Sequence, residues 1–129
     1  MLTDEQFEYK IVKLKNKEFL HSELAQKYKE ETDRLLVERA IVKIKNYVGL
    51  YVKHEKTYMK VEKQKIEKHG FYLNGKGFFD NGGGMWAITQ IGFTQYRKPW
   101  EEIEVISYEE YCEKFNDIIS KMKEKASVL

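Results

Sequence analysis

Residues 48–61 read VGLYVKHEKTYMKV, and this stretch decides the fold class. Apolar and aromatic side chains alternate with polar ones, which predicts a strand at residues 50–53, a short turn at 54–56 and a returning strand at 57–61. The lysine-rich residues 62–69 are ambiguous, and we interpret them as an extended continuation. On that interpretation three side chains point inward: Val61, Ile66 and Phe71. An antiparallel hairpin is therefore expected at the centre of the chain.

Residues 71–79, FYLNGKGFF, predict a second hairpin that turns at Asn74-Gly75. The prediction rests on the ease with which Asn-Gly supplies the two positive φ angles of a type I′ turn. The glycine-rich residues 80–84 are expected to form a flexible loop.

The sequence further predicts a strand at residues 85–94. Four of its side chains are expected on buried faces: Trp86, Ile88, Ile91 and Phe93. Pro99 is expected to close a turn, and residues 100–106 alternate as a final strand would.

Helices are predicted on both sides of this β region. Thr3 and Gln6 have the spacing of a capping box, and apolar residues follow at helical spacing, with Asn16 as a candidate interruption. A second helical pattern covers residues 19–47, with a possible break or fresh N-cap at Thr32-Asp33. Because residues 1–47 show more apolar positions than one small sheet can cover, we predict a homodimer through this region.

The C-terminal helix has the clearest local signal. Ser107 and Glu110 form a second capping box, and Ile106 with Tyr111 supplies a hydrophobic staple. The helix is expected to end near Lys125, where lysines favour the negative end of the helix dipole.

These elements predict an α+β protein with two regions. Residues 1–47 form an N-terminal helix or helical hairpin. Residues 48–129 form a β-rich domain, either a small twisted antiparallel sheet or an SH3-like barrel of about five strands, with the C-terminal helix.

Charge is concentrated in the middle of the chain. The net charge of the whole chain is only +2, but residues 41–79 hold nine basic and three acidic residues, net +6. Such a zone can attract phosphates or an acidic protein surface, although a solvated lysine-rich sheet face is an equal alternative. The scarcity of arginine argues against sequence-specific reading of DNA. The predicted binding residues are Lys53, Lys56, Tyr58, Lys60, Lys63, Lys65 and Lys68.

Catalytic and metal-binding patterns are missing from the sequence. His21, His54 and His69 are far apart and are expected to be exposed, and Cys112 is expected to be a buried small residue rather than a nucleophile. The glycine-rich segments match no phosphate-binding motif. We therefore expect a protein that is not an enzyme and has no cofactor and no metal. A single cysteine and the lack of a long apolar run favour a cytoplasmic protein without a membrane partner.

Several segments resemble short accessory proteins of phages and mobile elements of Gram-positive bacteria. These segments are VGLYVK at 48–53, YMKV at 58–61, WEEI at 100–103 and SYEEY at 107–111. Some such proteins are anti-CRISPR inhibitors of host defence. The resemblance implies an inhibitor that works in the host cytoplasm by occupying a surface of a host nucleic-acid-handling protein.

Three hypotheses about function follow. The first is this non-enzymatic, anti-CRISPR-like inhibitor. The second is a protein that binds single-stranded nucleic acid directly, through lysines interleaved with aromatic side chains. The third, a small nucleotide-binding protein or enzyme, is disfavoured by the missing motifs.

Overall fold

The computed structural model describes residues 2–18 and 22–128 of the chain. Its elements, in chain order, are helices α1 (Asp4–Glu18) and α2 (Ser22–Lys43), strands β1 (Tyr51–His54), β2 (Thr57–Glu67), β3 (Gly70–Asp80) and β4 (Met85–Thr94), helix α3 (Pro99–Glu102), strand β5 (Glu104–Ile106) and helix α4 (Tyr108–Val128). The strands form one sheet in the order β4-β3-β2-β1-β5, with every neighbouring pair antiparallel. The α+β class is thus confirmed, and the sheet is open, because β4 and β5 form its two edges.

The N-terminal helices pack on each other as a hairpin. The predicted capping box is present, since the Thr3 amide donates to Gln6 Oε1 at 2.8 Å and the Gln6 amide to Thr3 Oγ1 at 3.2 Å. Asn16 does not interrupt α1, which continues to Glu18. Likewise α2 runs without a break through Thr32-Asp33, because the Thr32 hydroxyl is satisfied inside the helix by the carbonyl of Tyr28, 2.9 Å away.

The ends of the predicted second helix differ from the structure. Residues 19–21, which include His21, lie outside the described residues. The helix stops at Lys43, before Tyr47. Tyr47 instead leaves the helix and buries its ring against the sheet. Tyr47 thus belongs to the hydrophobic core, at the connection between α2 and β1.

The predicted hairpin at Asn74-Gly75 is wrong. β3 runs straight through these residues, and the turn between β2 and β3 lies at Lys68-His69. Gly75 is required for a different reason: a Cβ built on it would lie 2.0 Å from the carbonyl oxygen of Lys60 on β2. The glycine permits close approach of two long strands where the bulge at Glu62 shifts their register.

Three apolar clusters hold the elements together. One lies on the inner side of the sheet, around Met59, Val61 and Leu73, and the predicted inward positions Val61, Ile66 and Phe71 all belong to it. A second lies inside the helical hairpin. The third packs α4 on the opposite side of the sheet and consists of Tyr58, Phe78, Ile106 and Ile118, with Tyr51, Met85 and Tyr111 at its margin.

Two predictions for the C-terminal half need correction. Trp86 is 62% exposed rather than buried, whereas Ile91 and Phe93 are buried as predicted and Ile88 is half-buried. Residues 99–102 form a helical turn instead of the start of a strand, because proline is favoured in the first turn of a helix. The capping of α4 is confirmed, with the Glu110 amide donating to Ser107 Oγ at 3.0 Å.

Candidate functional site

The side of the sheet that carries α4 also carries a row of lysines. Tyr58 and Phe78 are the two rings under α4. Lys60 comes two residues after Tyr58 and Lys76 two residues before Phe78, so both lysines share that side of the sheet. Beyond the bulge, Lys63 faces Asn74 and Lys65 faces Tyr72 across the ladder. The register therefore places Lys60, Lys63, Lys65 and Lys76 together, and we refer to these four residues as the lysine face.

The charge of the lysine face is poorly compensated. Lys60 and Lys76 are directly opposite each other on neighbouring strands, an arrangement that costs stability when both side chains are charged. All four lysines are exposed. Of these four lysines, Lys65 alone has a carboxylate partner among the described residues, Glu67 at 3.6 Å. An anion bound across the face would relieve this repulsion.

Beside the lysines lies a half-exposed aromatic ring with amide side chains. The Tyr72 ring lies against Gly92, since a Cβ built on that glycine would come within 3.2 Å of two ring carbons. On the same side, Gln90 Nε2 donates to Asn74 Oδ1 at 3.0 Å. Together these side chains offer a ring for stacking and hydrogen-bonding groups next to the cations.

A tyrosine cluster borders the lysine face where α4 begins. The Tyr51 ring lies 4.8 Å from that of Tyr111 and 5.3 Å from that of Tyr108, and Lys60 Nζ is 5.9 Å from its centre. Burial raises the pKa of Tyr111 above its ordinary value. The pKa of Tyr108 is raised chiefly by a hydrogen bond with the side chain of Cys112. Both phenols therefore stay neutral near pH 7, and they do not cancel the lysine charge.

The other predicted binding residues lie elsewhere. Tyr58 is only 6% exposed and stacks on Phe78 at 5.1 Å, so its ring is part of the core and is not free to stack on a ligand. Lys53 is half-buried with its Nζ 5.7 Å from the Tyr58 ring. Lys56 is exposed in the turn between β1 and β2. Lys68 Nζ is 3.8 Å from the buried carboxylate of Asp33 on α2. This contact links the β2–β3 turn to the helical hairpin.

Sequence reasoning missed Lys76 and Tyr72 as site residues. The sequence pattern places both in a short hairpin around Asn74-Gly75, and such a hairpin would turn them away from β2. The signal that could have found them is the alternation of Tyr72, Asn74, Lys76 and Phe78, which is continuous across the Asn-Gly pair.

The histidines and the cysteine have structural neighbours. His54 is half-buried, contrary to prediction, with its Nε2 3.4 Å from Glu102 Oε1. Arg97 pairs with the same carboxylate, and this hydrogen bond is the main reason that the pKa of Glu102 is lowered. His69 is exposed, as predicted, and Cys112 is half-buried. The described residues contain no group of three or more side chains suited to hold a metal ion.

The cavity between α2 and the sheet is small. Its volume is about 10 Å³, near the space that one water needs, and Gln95, whose Oε1 has no hydrogen-bond partner, lines it. It therefore has room for a water rather than for a small-molecule substrate.

Comparison of the chain with protein-family models, with curated proteins and with solved structures found no match. Over the described parts of the chain, no helix is both long enough and apolar enough to cross a membrane.

Proposed function

We propose that this chain is a non-enzymatic binding protein whose lysine face holds a polyanion, with single-stranded nucleic acid as the class of partner. The observation that carries the proposal is the direct opposition of Lys60 and Lys76 without a carboxylate partner among the described residues. A repulsive pair of this kind is stabilised when phosphates lie across it.

Single strands are favoured over duplex DNA for two reasons. The Tyr72 ring offers a surface on which one base can stack, and such a contact contributes about 1–3 kcal/mol whatever the base. The face also lacks arginine, the residue best suited to bidentate contacts with base edges. Binding should therefore depend on backbone charge and stacking, with little sequence preference.

The test is binding of a fluorescent oligonucleotide of random sequence, measured by anisotropy over a range of salt concentrations. The triple variant Lys60→Glu, Lys63→Glu, Lys76→Glu should bind far more weakly. Its log–log salt slope should be smaller in magnitude by about 2 for each copy of the chain that contacts the strand, because each phosphate contact to a single strand contributes about 0.7. Equal binding by the wild type and the variant at low salt would exclude the lysine face as the site.

The matched control makes the same change of charge elsewhere. Lys13, Lys27 and Lys29 are exposed on the N-terminal helices, and reversing all three to Glu also changes the net charge by six units. If the control variant loses as much affinity as the first, net charge alone explains binding. If it retains most of its affinity, the position of the lysines matters.

The exposure of Trp86 favours a second candidate, which is binding to a host nucleic-acid-handling protein as an anti-CRISPR-like inhibitor. The Trp86 ring stacks on that of Phe79 with 5.4 Å between the ring centres, and the residue remains 62% exposed. Tryptophan is a common anchor in protein interfaces. This candidate agrees with the resemblance to phage accessory proteins. It predicts no binding of free oligonucleotides at low salt, together with capture of a defined host protein after nuclease treatment that Trp86→Ala abolishes.

A further inference from the structure

The outer edge of β4 lacks the charges, prolines and short length that commonly protect a sheet edge. The strand reads MWAITQIGFT, ten residues without a charge or a proline. Its inner side pairs with β3, and in the described chain the backbone of residues 85–93 has no hydrogen bond to any other element. Six of its residues are exposed: Trp86, Ala87, Thr89, Gln90, Gly92 and Thr94.

The opposite edge differs in length and in charge. β5 has only three residues, Glu104–Ile106, and it carries an exposed acidic side chain. Proteins commonly protect their edges by such shortness and charge, because unpaired N–H and C=O groups recruit other strands. A long uncharged edge such as that of β4 is therefore suited to pairing with a strand from another chain.

We propose that β4 pairs antiparallel with β4 of a second copy and so forms a continuous sheet of ten strands. A two-fold axis perpendicular to the sheet places a strand opposite its own residues, and any charge on the strand then approaches its like. β4 avoids this repulsion completely because it has no charged residue. The surface differs from the predicted helical one, where Phe7, Ile11, Leu35 and Leu36 already pack against each other within the hairpin.

The same axis has a consequence for the lysine face. Rotation about a perpendicular two-fold leaves the lysine faces of both copies on one side of the joined sheet. Tyr72 and Gln90, on the two strands nearest the axis, would then lie between two groups of four lysines. This joined binding surface rests on the proposed function, whereas the dimer itself does not.

Sedimentation of the protein without nucleic acid tests the dimer alone. The wild type at tens of micromolar should have about twice the 15.5 kDa mass of one chain. Thr89→Lys places a charge at the middle of β4. The ladder between β3 and β4 shifts register there, and Thr89 pairs with no residue of β3. The variant should sediment as a monomer, and Ser120→Lys, which adds the same charge on the exposed side of α4, should remain a dimer.

A mixture of two oppositely charged variants distinguishes the loss of strand pairing from a failure to fold. Thr89→Lys and Thr89→Glu should each be monomeric, and an equimolar mixture should form a dimer, because opposite charges then meet at the axis. A monomeric wild type would overturn the proposal. So would a dimer that persists in Thr89→Lys, or one that Tyr9→Glu on α1 abolishes while Thr89→Lys does not.

Discussion

At the scale of single residues, two glycines determine how β3 lies against β2. A Cβ at Gly75 would lie 2.0 Å from the Lys60 carbonyl oxygen, and one at Gly77 would lie 2.2 Å from that of Tyr58. Both obstacles are backbone atoms, which cannot move without displacing a strand. The lysine face depends on this close approach, because it places Lys76 next to Lys60.

We therefore expect Gly75→Ala to lower the free energy of unfolding by about 1–3 kcal/mol, the usual cost of forcing an extra group into a packed site. Gly83→Ala is the matched control, since its Cβ would meet only the flexible end of Lys125. Urea denaturation followed by circular dichroism compares the two. If both variants unfold at the same urea concentration, close packing at Gly75 is not needed for stability.

Asn74-Gly75 also shows why one residue pair misled the sequence analysis. The pair is a strong turn signal when strands end beside it, and here the same glycine is used for its lack of a side chain. The competing requirement comes from β2, eleven residues long, and becomes visible only once the partner strand is known. Trp86 was misplaced for a similar reason, because aromatic content predicts a strand but does not predict which side of it is covered.

At the scale of elements, local signals were reliable where a helix begins. The capping boxes at Thr3 and Ser107 are both present, because each needs only residues three positions apart. The end of α2 was less predictable. Its apolar pattern continues to Tyr47, which is buried by the sheet and not by a helical neighbour. An apolar residue that is buried by the sheet can therefore extend the apolar pattern of α2 past the last helical turn.

The link between β3 and α4 predicts how stability depends on pH. Asp80 Oδ1 accepts from the Gly82 amide at 3.0 Å, and Oδ2 lies 3.1 Å from Lys114 Nζ. These contacts, the Gly82 hydrogen bond first, hold the pKa of Asp80 below its ordinary value. Because the folded pKa lies below the unfolded value of about 3.9, the stabilisation is present above that pH and is lost as the pH falls through the folded pKa.

Asp80→Asn should therefore be less stable than the wild type near neutral pH, and the difference should shrink below about pH 4. Urea unfolding at several pH values from about 7 down to about 3 measures it. Asp117→Asn removes an exposed ion pair with Lys121 on one helix face and should change stability little. A difference between Asp80→Asn and the wild type that is constant over this range would contradict the assignment.

At the scale of the whole molecule, the sequence predicted a basic zone but not a basic surface. Of the six lysines first assigned to binding, three lie on the lysine face, and the register with β3 adds Lys76. Lys68 is separated from them because it lies in the β2–β3 turn, where its Nζ is 3.8 Å from the carboxylate of Asp33 on α2. Composition shows how many charges a segment holds, whereas register and packing decide which of them act together.

Dimerisation and nucleic-acid binding are coupled if both proposals hold. Four lysines in one copy would give a log–log salt slope of about −3 for a single strand, and eight in a dimer about −6. We expect Thr89→Lys to bind a long oligonucleotide more weakly than the wild type, with roughly half its salt slope.

The direction of this change in affinity is diagnostic, because the substitution adds a positive charge and on electrostatics alone should strengthen binding. An oligonucleotide too short to reach both copies should bind the variant at least as tightly as the wild type. If the long oligonucleotide also binds Thr89→Lys more tightly, each copy acts independently and the joined face does not form.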